Sequence, residues 1–144
     1  MGSARPPDLR LTTGAVLSAE QVNAAYAWAD WPAREAWRID QMSRRCTWIA
    51  AETSDGTLVG IARLLDDGGL YASVWDLIVH PEWRGKGIGT SLAELALEEC
   101  RDRRLVAVVS TPAARGLFAR LGFVTESHGH AALYLRPRRL LDDS

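Results

Sequence analysis

The apolar positions of this chain follow two periods. In residues 46–53, 57–65 and 73–80 they gather in short runs rich in β-branched and aliphatic side chains, which predict strands. From Ile88 to Cys100 they recur in steps of three and four, at Ile88, Leu92, Leu95, Ala96 and Cys100, which predicts one buried helical face. Ser54-Asp55-Gly56 and Asp66-Asp67-Gly68-Gly69 read as the turns between strands, and Gly60 as a bulge. Pro81 cannot extend a ladder, so the strand begun near Ser73 should stop at His80.

The flanks complete the pattern. Residues 9–13 predict a short first strand ended by Gly14. Ser18 and Gln21 have capping-box spacing, so a helix begins there and runs to about Ala27. Pro32 suits the first turn of a second helix ending near Ser43. The apolar run at 105–110 reads as a buried strand. Thr111-Pro112 then opens a short helix that Gly122 ends. Residues 123–126 and 131–136 predict two last strands joined through Ser127-His128-Gly129-His130. Mixed elements in one chain predict an α+β fold, a sheet with helices on its faces. Residues 1–8 and 137–144 read as tails around a single domain, with Arg136 to Arg139 part of a solvated basic cluster.

Composition narrows the classes. At 144 residues the chain is one domain with room for a core. A net charge of −1 supplies no basic field for nucleic acid, and no nucleic-acid partner is expected. The longest aliphatic run is far too short for a membrane span, and the first ten residues have no apolar signal core. Met1-Gly2 is followed by Pro6 where a myristoylation signal has Ser or Thr. Cys46 and Cys100 lie in different elements without ligand spacing, so they read as core thiols of a reducing compartment, with a cytoplasmic location. His128 and His130, with Glu126 nearby, make a poor metal site, and no metal is expected.

The chemistry concentrates between the strand at 73–80 and the long helix. Arg84-Gly85-Lys86-Gly87-Ile88-Gly89 leads directly into that helix. A helix start leaves N–H groups unpaired and partially positive, and glycines let the backbone curl round an anion. The expected guest is a phosphate or pyrophosphate. The stretch is not a P-loop, because position 80 is His and position 87 is Gly. It is not a dinucleotide fingerprint either, because the third glycine is replaced by Thr90. What fits is Arg/Gln-x-x-Gly-x-Gly/Ala after an apolar strand, with Arg84, Gly87 and Gly89 at the defining positions. This resembles the pyrophosphate-binding motif of the GNAT N-acetyltransferase superfamily. Gly116-Leu117-Phe118-Ala119-Arg120-Leu121-Gly122-Phe123 is similar to that family's closing segment, and the match is strong over residues 59–123.

The resemblance implies a mixed sheet with about four helices, splayed between the strands at 73–80 and 105–110. It implies acetyl-CoA as acetyl donor, its pantetheine arm lying in the splay against Leu77, Ile78 and Val79. It places the pyrophosphate on Arg84, Gly85, Lys86, Gly87, Ile88, Gly89 and Thr90, with Thr111 and Phe118 as further cofactor contacts. A backbone N–H around Val79 is the candidate for holding the developing oxyanion. Phe118 stands where the family commonly has a Tyr, and Thr111 where it often has an Asn. Tyr134, Tyr71, water or an unassisted thiolate must then serve the leaving sulfur.

An amine with a pKa of about 10 must lose a proton before it attacks. Asp76, alone on an apolar strand, is the first candidate base, against a structural reading in which it pairs with an Arg. His80 is the rival. Trp28, Trp31 and Trp37, with Asp30 and Glu35, suit a cationic amine, although tryptophans also pack helices onto sheets, the reading favoured for Trp37. The acceptor expected is a small-molecule primary amine, and the protein a monomer or homodimer. A protein amine as acceptor, or an acyl-CoA sensor without turnover, stays open.

Overall fold

The computed structural model describes residues 8–136. Five strands form one mixed sheet in chain order, β1 Arg10–Thr13, β2 Thr47–Glu52, β3 Leu58–Asp66, β4 Tyr71–Val79 and β5 Leu105–Val108. The first four pair antiparallel. β5 pairs parallel with β4, which requires the crossover supplied by helix α3, Ile88–Glu99. Helices α1 Ala19–Trp28 and α2 Ala36–Ser43 join β1 to β2, and α4 Arg115–Arg120 follows β5.

The sheet separates two apolar layers. Ile49, Ala51, Leu64 and Val74 face α3, where they meet Ile88, Leu92, Ala96 and Cys100. Trp48, Ala50, Ile61 and Ile78 face the other way and pack with Val22, Ala25 and Tyr26 of α1 and Ile39 of α2. Local chemistry fixes the ends of these elements. Ser18 and Gln21 make both bonds of the capping box at the start of α1. α4 ends in a Schellman turn: Phe123 N–H bonds Phe118 C=O, Gly122 N–H bonds Ala119 C=O, and Gly122 takes a φ of 102°. The Phe118 and Phe123 rings then meet edge-on at 5.5 Å.

Several expectations are corrected. Pro32 precedes α2 rather than entering it, since α2 begins at Ala36 after an extended Glu35. Residues 123–126 and 131–136 form no strands; only Ser127 and His130 are bridged. A two-stranded ribbon without a third strand or helix beneath it gains too little burial to hold its ladder. Val124, Leu133, Tyr134 and Leu135 are accordingly exposed. For the same reason β5 is a half-exposed edge strand of four residues, not a buried strand reaching Ser110. Cys100 is buried, whereas Cys46 is only half-buried; both are free thiols. Of the expected tails, 1–8 and 137–144, all but Asp8 lies outside the described residues.

Gly60 sets how closely α3 approaches the sheet. A Cβ there would lie 2.9 Å from Leu92 Cδ1 and 3.3 Å from Ile88 Cγ2, both on fully buried side chains. Gly60→Val should therefore destabilise the fold by about 1–3 kcal/mol and lower the thermal midpoint. An unchanged midpoint in a calorimetric scan would show that α3 does not rest on this glycine.

Candidate active site

The site is built on a break in β4. Ile61 pairs with Ile78 but Arg63 pairs with Trp75, so β4 carries one residue more than β3 over this stretch. The extra residue is accommodated at Asp76, whose φ is +52°, a left-handed conformation that Asp tolerates better than most L residues. The insertion reverses the facing of the rest of the strand. Val74 belongs to the α3 layer, yet Ile78, four residues on, belongs to the α1 layer, while Leu77 and Val79 pack towards α3. Asp76 Oδ2 accepts from Arg63 Nε at 2.7 Å and from the Tyr26 hydroxyl at 2.8 Å. The Arg63 guanidinium lies 5.9 Å from the ring centres of both Trp48 and Trp75. The pair is largely buried, with 13% and 10% of the two side chains exposed.

Beyond the bulge, β4 leaves β5. Their pairing covers only Tyr71 to Val74 against Leu105 to Val108. His80 N–H bonds Val59 C=O of the β3 side. The alternation of a β-ladder therefore turns the peptide groups of Leu77 and Val79 towards the gap.

The glycine-rich turn closes one end of that gap. Gly85 and Gly87 have φ of 76° and 80°, so the chain enters α3 through conformations suited to glycine. Gly87 caps α3 without a side-chain acceptor, and the first intrahelical bond is Ser91 N–H to Gly87 C=O. The N–H groups of Ile88, Gly89 and Thr90 are thus the unpaired donors of the helix start. All three residues line a cavity of about 720 Å³, together with Leu77, Ile78 and Val79. A Cβ on Gly89 would meet Leu117 Cδ1 at 3.2 Å, so glycine there also lets α4 approach.

Arg84 lines the cavity too, but its guanidinium is partly engaged. Nε donates to Val79 C=O at 3.1 Å and a terminal nitrogen donates to Trp28 C=O at 2.9 Å. It ties the end of α1 to the end of β4 and satisfies a carbonyl at the negative end of α1.

A second cavity, of about 450 Å³, opens on the other side of Leu77. Trp31, Trp75 and Phe118 contribute its aromatic surface, and Arg34, Asp76 and Arg136 its charges. Trp31, Leu77, Thr111 and Ala114 line both cavities, so the two adjoin along a common wall.

The sequence that builds this cradle, strand edge and chamber matches one family model, that of the acetyltransferase (GNAT) family, over residues 16–123. The chain belongs to the GNAT acetyltransferase family. Among curated proteins it is 28% identical over 123 residues to a chloroplastic serotonin N-acetyltransferase 2 of Oryza sativa, covering 81% of this chain and 60% of that one. It is 26% identical over 92 residues to an uncharacterized N-acetyltransferase of Pyropia yezoensis, covering 62% and 53%. The chain spans about half the length of such relatives. A GNAT-family acetyltransferase of Streptococcus pneumoniae shares the fold at a TM-score of 0.74, with 23% identity over 90% of this chain and 98% of that one.

In this GNAT domain the residues expected at the site divide. Leu77, Ile78, Val79, Arg84, Gly85, Gly87, Ile88, Gly89 and Thr90 come together around the first cavity. Lys86 is exposed and lines neither of these cavities. Thr111 lies on the common wall, and Phe118 faces the second cavity rather than the first. Trp28 and Asp30 line only the first cavity, whereas Trp31 lines both. Asp30 is held in the left-handed region, φ +59°, where the chain turns out of α1. Tyr134 is not brought to the site; it is 73% exposed because no strand carries it inward. Trp37 is 56% exposed and does not pack on the sheet. Its Nε1 bonds Glu35, and Arg38 lies over its ring.

His80 also stands apart. Its Nδ1 accepts from Glu82 N–H and its ring meets Trp28 edge-on at 5.0 Å. Asp76 adopts the arginine pairing set against the catalytic reading. Sequence reasoning missed Tyr26, Arg63, Trp75 and Arg34, and it read Arg136 as part of a solvated basic cluster although it lines the second cavity. The one available signal was Arg63, a lone charge inside the apolar run of β3. Among the described residues no three side chains cluster as metal ligands, and no helix is long and apolar enough to cross a membrane.

Burial, and next the Asp76 charge, push the Tyr26 hydroxyl far above the ordinary tyrosine range, with Arg63 and Arg34 opposing in part. Its folded-state pKa thus exceeds the unfolded value. The associated stability is present below the unfolded pKa of about 10 and is lost as pH rises above it. In an alkaline titration Tyr26 should ionise only with unfolding, and Tyr26→Phe should lose that part of the alkaline decline. A tyrosinate signal from Tyr26 near its unfolded pKa in folded protein would contradict the bond to Asp76.

Proposed function

We propose that this GNAT protein transfers an acetyl group from acetyl-CoA to the primary amine of a small acceptor, by direct attack in a ternary complex. The observation that carries the reading is the common wall. One cavity has a phosphate cradle and a strand edge, the other is small and aromatic, and they meet at Leu77 and Trp31. A chamber of about 450 Å³ walled by two tryptophans favours a small molecule over a protein segment. The serotonin acetyltransferase named among the relatives supports an amine with an aromatic part.

Each part of the site has a task in this reading. Ile88, Gly89 and Thr90 N–H groups hold the pyrophosphate at the positive end of α3. Leu77 offers its peptide groups to the pantetheine arm as a neighbouring strand would, Val79 C=O being already bonded to Arg84 Nε. When bound, acetyl-CoA supplies an activated acetyl thioester. The N–H at Val79 is the donor for negative charge developing on the acyl oxygen. In the net exchange the acceptor nitrogen gains the acetyl group and gives up a proton, while the sulfur leaves and takes one.

No tyrosine lines the second cavity, and Ser110 Oγ is bonded to Thr111 C=O. The sulfur therefore leaves as thiolate, tolerable at a pKa of roughly 8.5, or takes its proton from water. Asp76, with Oδ2 already accepting two bonds, acts as a positioning residue that holds the bulge and thereby aims Leu77 and Val79. A buried thiol and a half-buried one suit a reducing compartment, and we place the protein in the cytoplasm.

Gly87→Ala and Gly89→Ala should each weaken acetyl-CoA binding at least tenfold in calorimetry while circular dichroism shows the protein still folded. Unchanged affinity would refute the cradle. Tight binding without thiol release across a panel of amines would point instead to acyl-CoA binding without turnover, the reading Phe118 keeps open.

Asp76→Asn should lower kcat roughly ten- to hundredfold through misplacement of the β4 edge. The alkaline rise of the pH–rate profile should survive in the variant. Its flattening would make Asp76 the base rather than a positioning group.

A further inference from the structure

The second cavity is electrostatically one-sided. Its charged lining is Arg34, Arg136 and Asp76. Asp76 is already matched by Arg63 at 2.7 Å, with the Tyr26 hydroxyl at 2.8 Å on the same oxygen. Arg34 and Arg136 are different. Among the described residues neither guanidinium forms an ion pair or a hydrogen bond.

Arg34 is also held in place through its backbone. Asn23 Oδ1 accepts from Arg34 N–H and Asn23 Nδ2 donates to Arg34 C=O, both at 2.9 Å. The loop from α1 to α2 therefore presents Arg34 from a fixed point. Its charge is felt at the Tyr26 hydroxyl, where it opposes the rise caused by burial and Asp76.

Two uncommitted guanidinium groups on an aromatic chamber have a defined complement. Both arginines are exposed; a cationic tail would be repelled there, and a neutral one would gain nothing from their charge. A carboxylate or phosphate would satisfy the planar fork with two parallel bonds. Trp31, Trp75 and Phe118 would cover the apolar spacer between that group and the amine.

We infer that the acceptor is a primary amine bearing an oxyanion, carboxylate or phosphate, at the end remote from the reacting nitrogen, held by Arg34 and Arg136. The inference rests on the acetyl-transfer reading above and names its acceptor class. It reverses the cationic partner expected from Trp28, Trp31 and Asp30, since Trp28 and Asp30 lie on the first cavity and the carboxylate on the second is already paired.

The test compares ω-amino carboxylates and aminoalkyl phosphates of increasing length, each against the alkylamine of equal length. Thiol release from acetyl-CoA gives kcat and KM, and calorimetry on CoA-saturated protein gives affinity. At the best length the anionic member should win by roughly tenfold or more, mainly through a lower KM. Arg34→Gln should erase most of that ratio, Arg136→Gln should reduce it, and Arg34→Lys should restore part of it. The larger ratio of the two series identifies carboxylate or phosphate.

Alkylamines that match the anionic compounds would overturn the inference, as would a ratio unmoved by both glutamine variants. If acetyl-CoA binds but no amine is acetylated, the transfer reading fails and calorimetry alone decides. An Arg34-dependent preference for the anionic compounds would still support the site, and its absence would overturn it.

Discussion

One carboxylate oxygen accepting from a guanidinium and a phenol holds the centre of this fold. Asp76 could not sit comfortably at a positive φ in the middle of a regular strand; the bonds from Arg63 and Tyr26 stabilise it there. From that position the rest of β4 changes face. Ile78 turns to the α1 layer and Leu77 and Val79 to the α3 layer, so one inserted residue connects the packing of both apolar layers. An ion pair in this setting is costly to break on one side, because the remaining charge stays largely buried.

Helix ends supply the second layer of organisation. α3 begins at the gap with unpaired N–H groups and no side-chain cap, which leaves its positive end facing the first cavity. α1 ends nearby with a carbonyl that Arg84 satisfies. Because the same guanidinium also holds Val79 C=O, the loop carrying Asp30 and Trp31 is tied to the strand edge beside the gap. The glycines act by different means. Gly85 and Gly87 provide backbone angles, whereas Gly60 and Gly89 provide space for neighbouring side chains.

Much of this was legible in the chain. The 3.6-residue period placed α3, the capping box placed the start of α1, and the glycine-rich turn after an apolar strand marked the first cavity. Those signals are local, carried by neighbouring residues. The bulge was not legible because it depends on how β3 and β4 register, and nothing in 73–80 marks an inserted residue. Gly60 had suggested a bulge in β3, and there Ala51 pairs with Gly60 and Glu52 with Leu58, leaving Val59 over. The partners of Asp76 come from 50 and 13 residues away, beyond any local pattern. The closing strands failed for the opposite reason. Residues 131–135 have apolar side chains fit for a strand, but apolar content does not create a surface for them to cover.

The wall formed by Trp31, Leu77, Thr111 and Ala114 divides a single space in the molecule. Whatever occupies one chamber fixes the room left in the other. On the proposed assignment of donor and acceptor to the two chambers, an acyl chain longer than acetyl would have to grow across Leu77 into volume that the acceptor needs. Donor length and acceptor bulk are then rivals, and a substitution on the wall, even one as small as Ala114→Gly, would redistribute capacity between two substrates rather than enlarge a pocket for one.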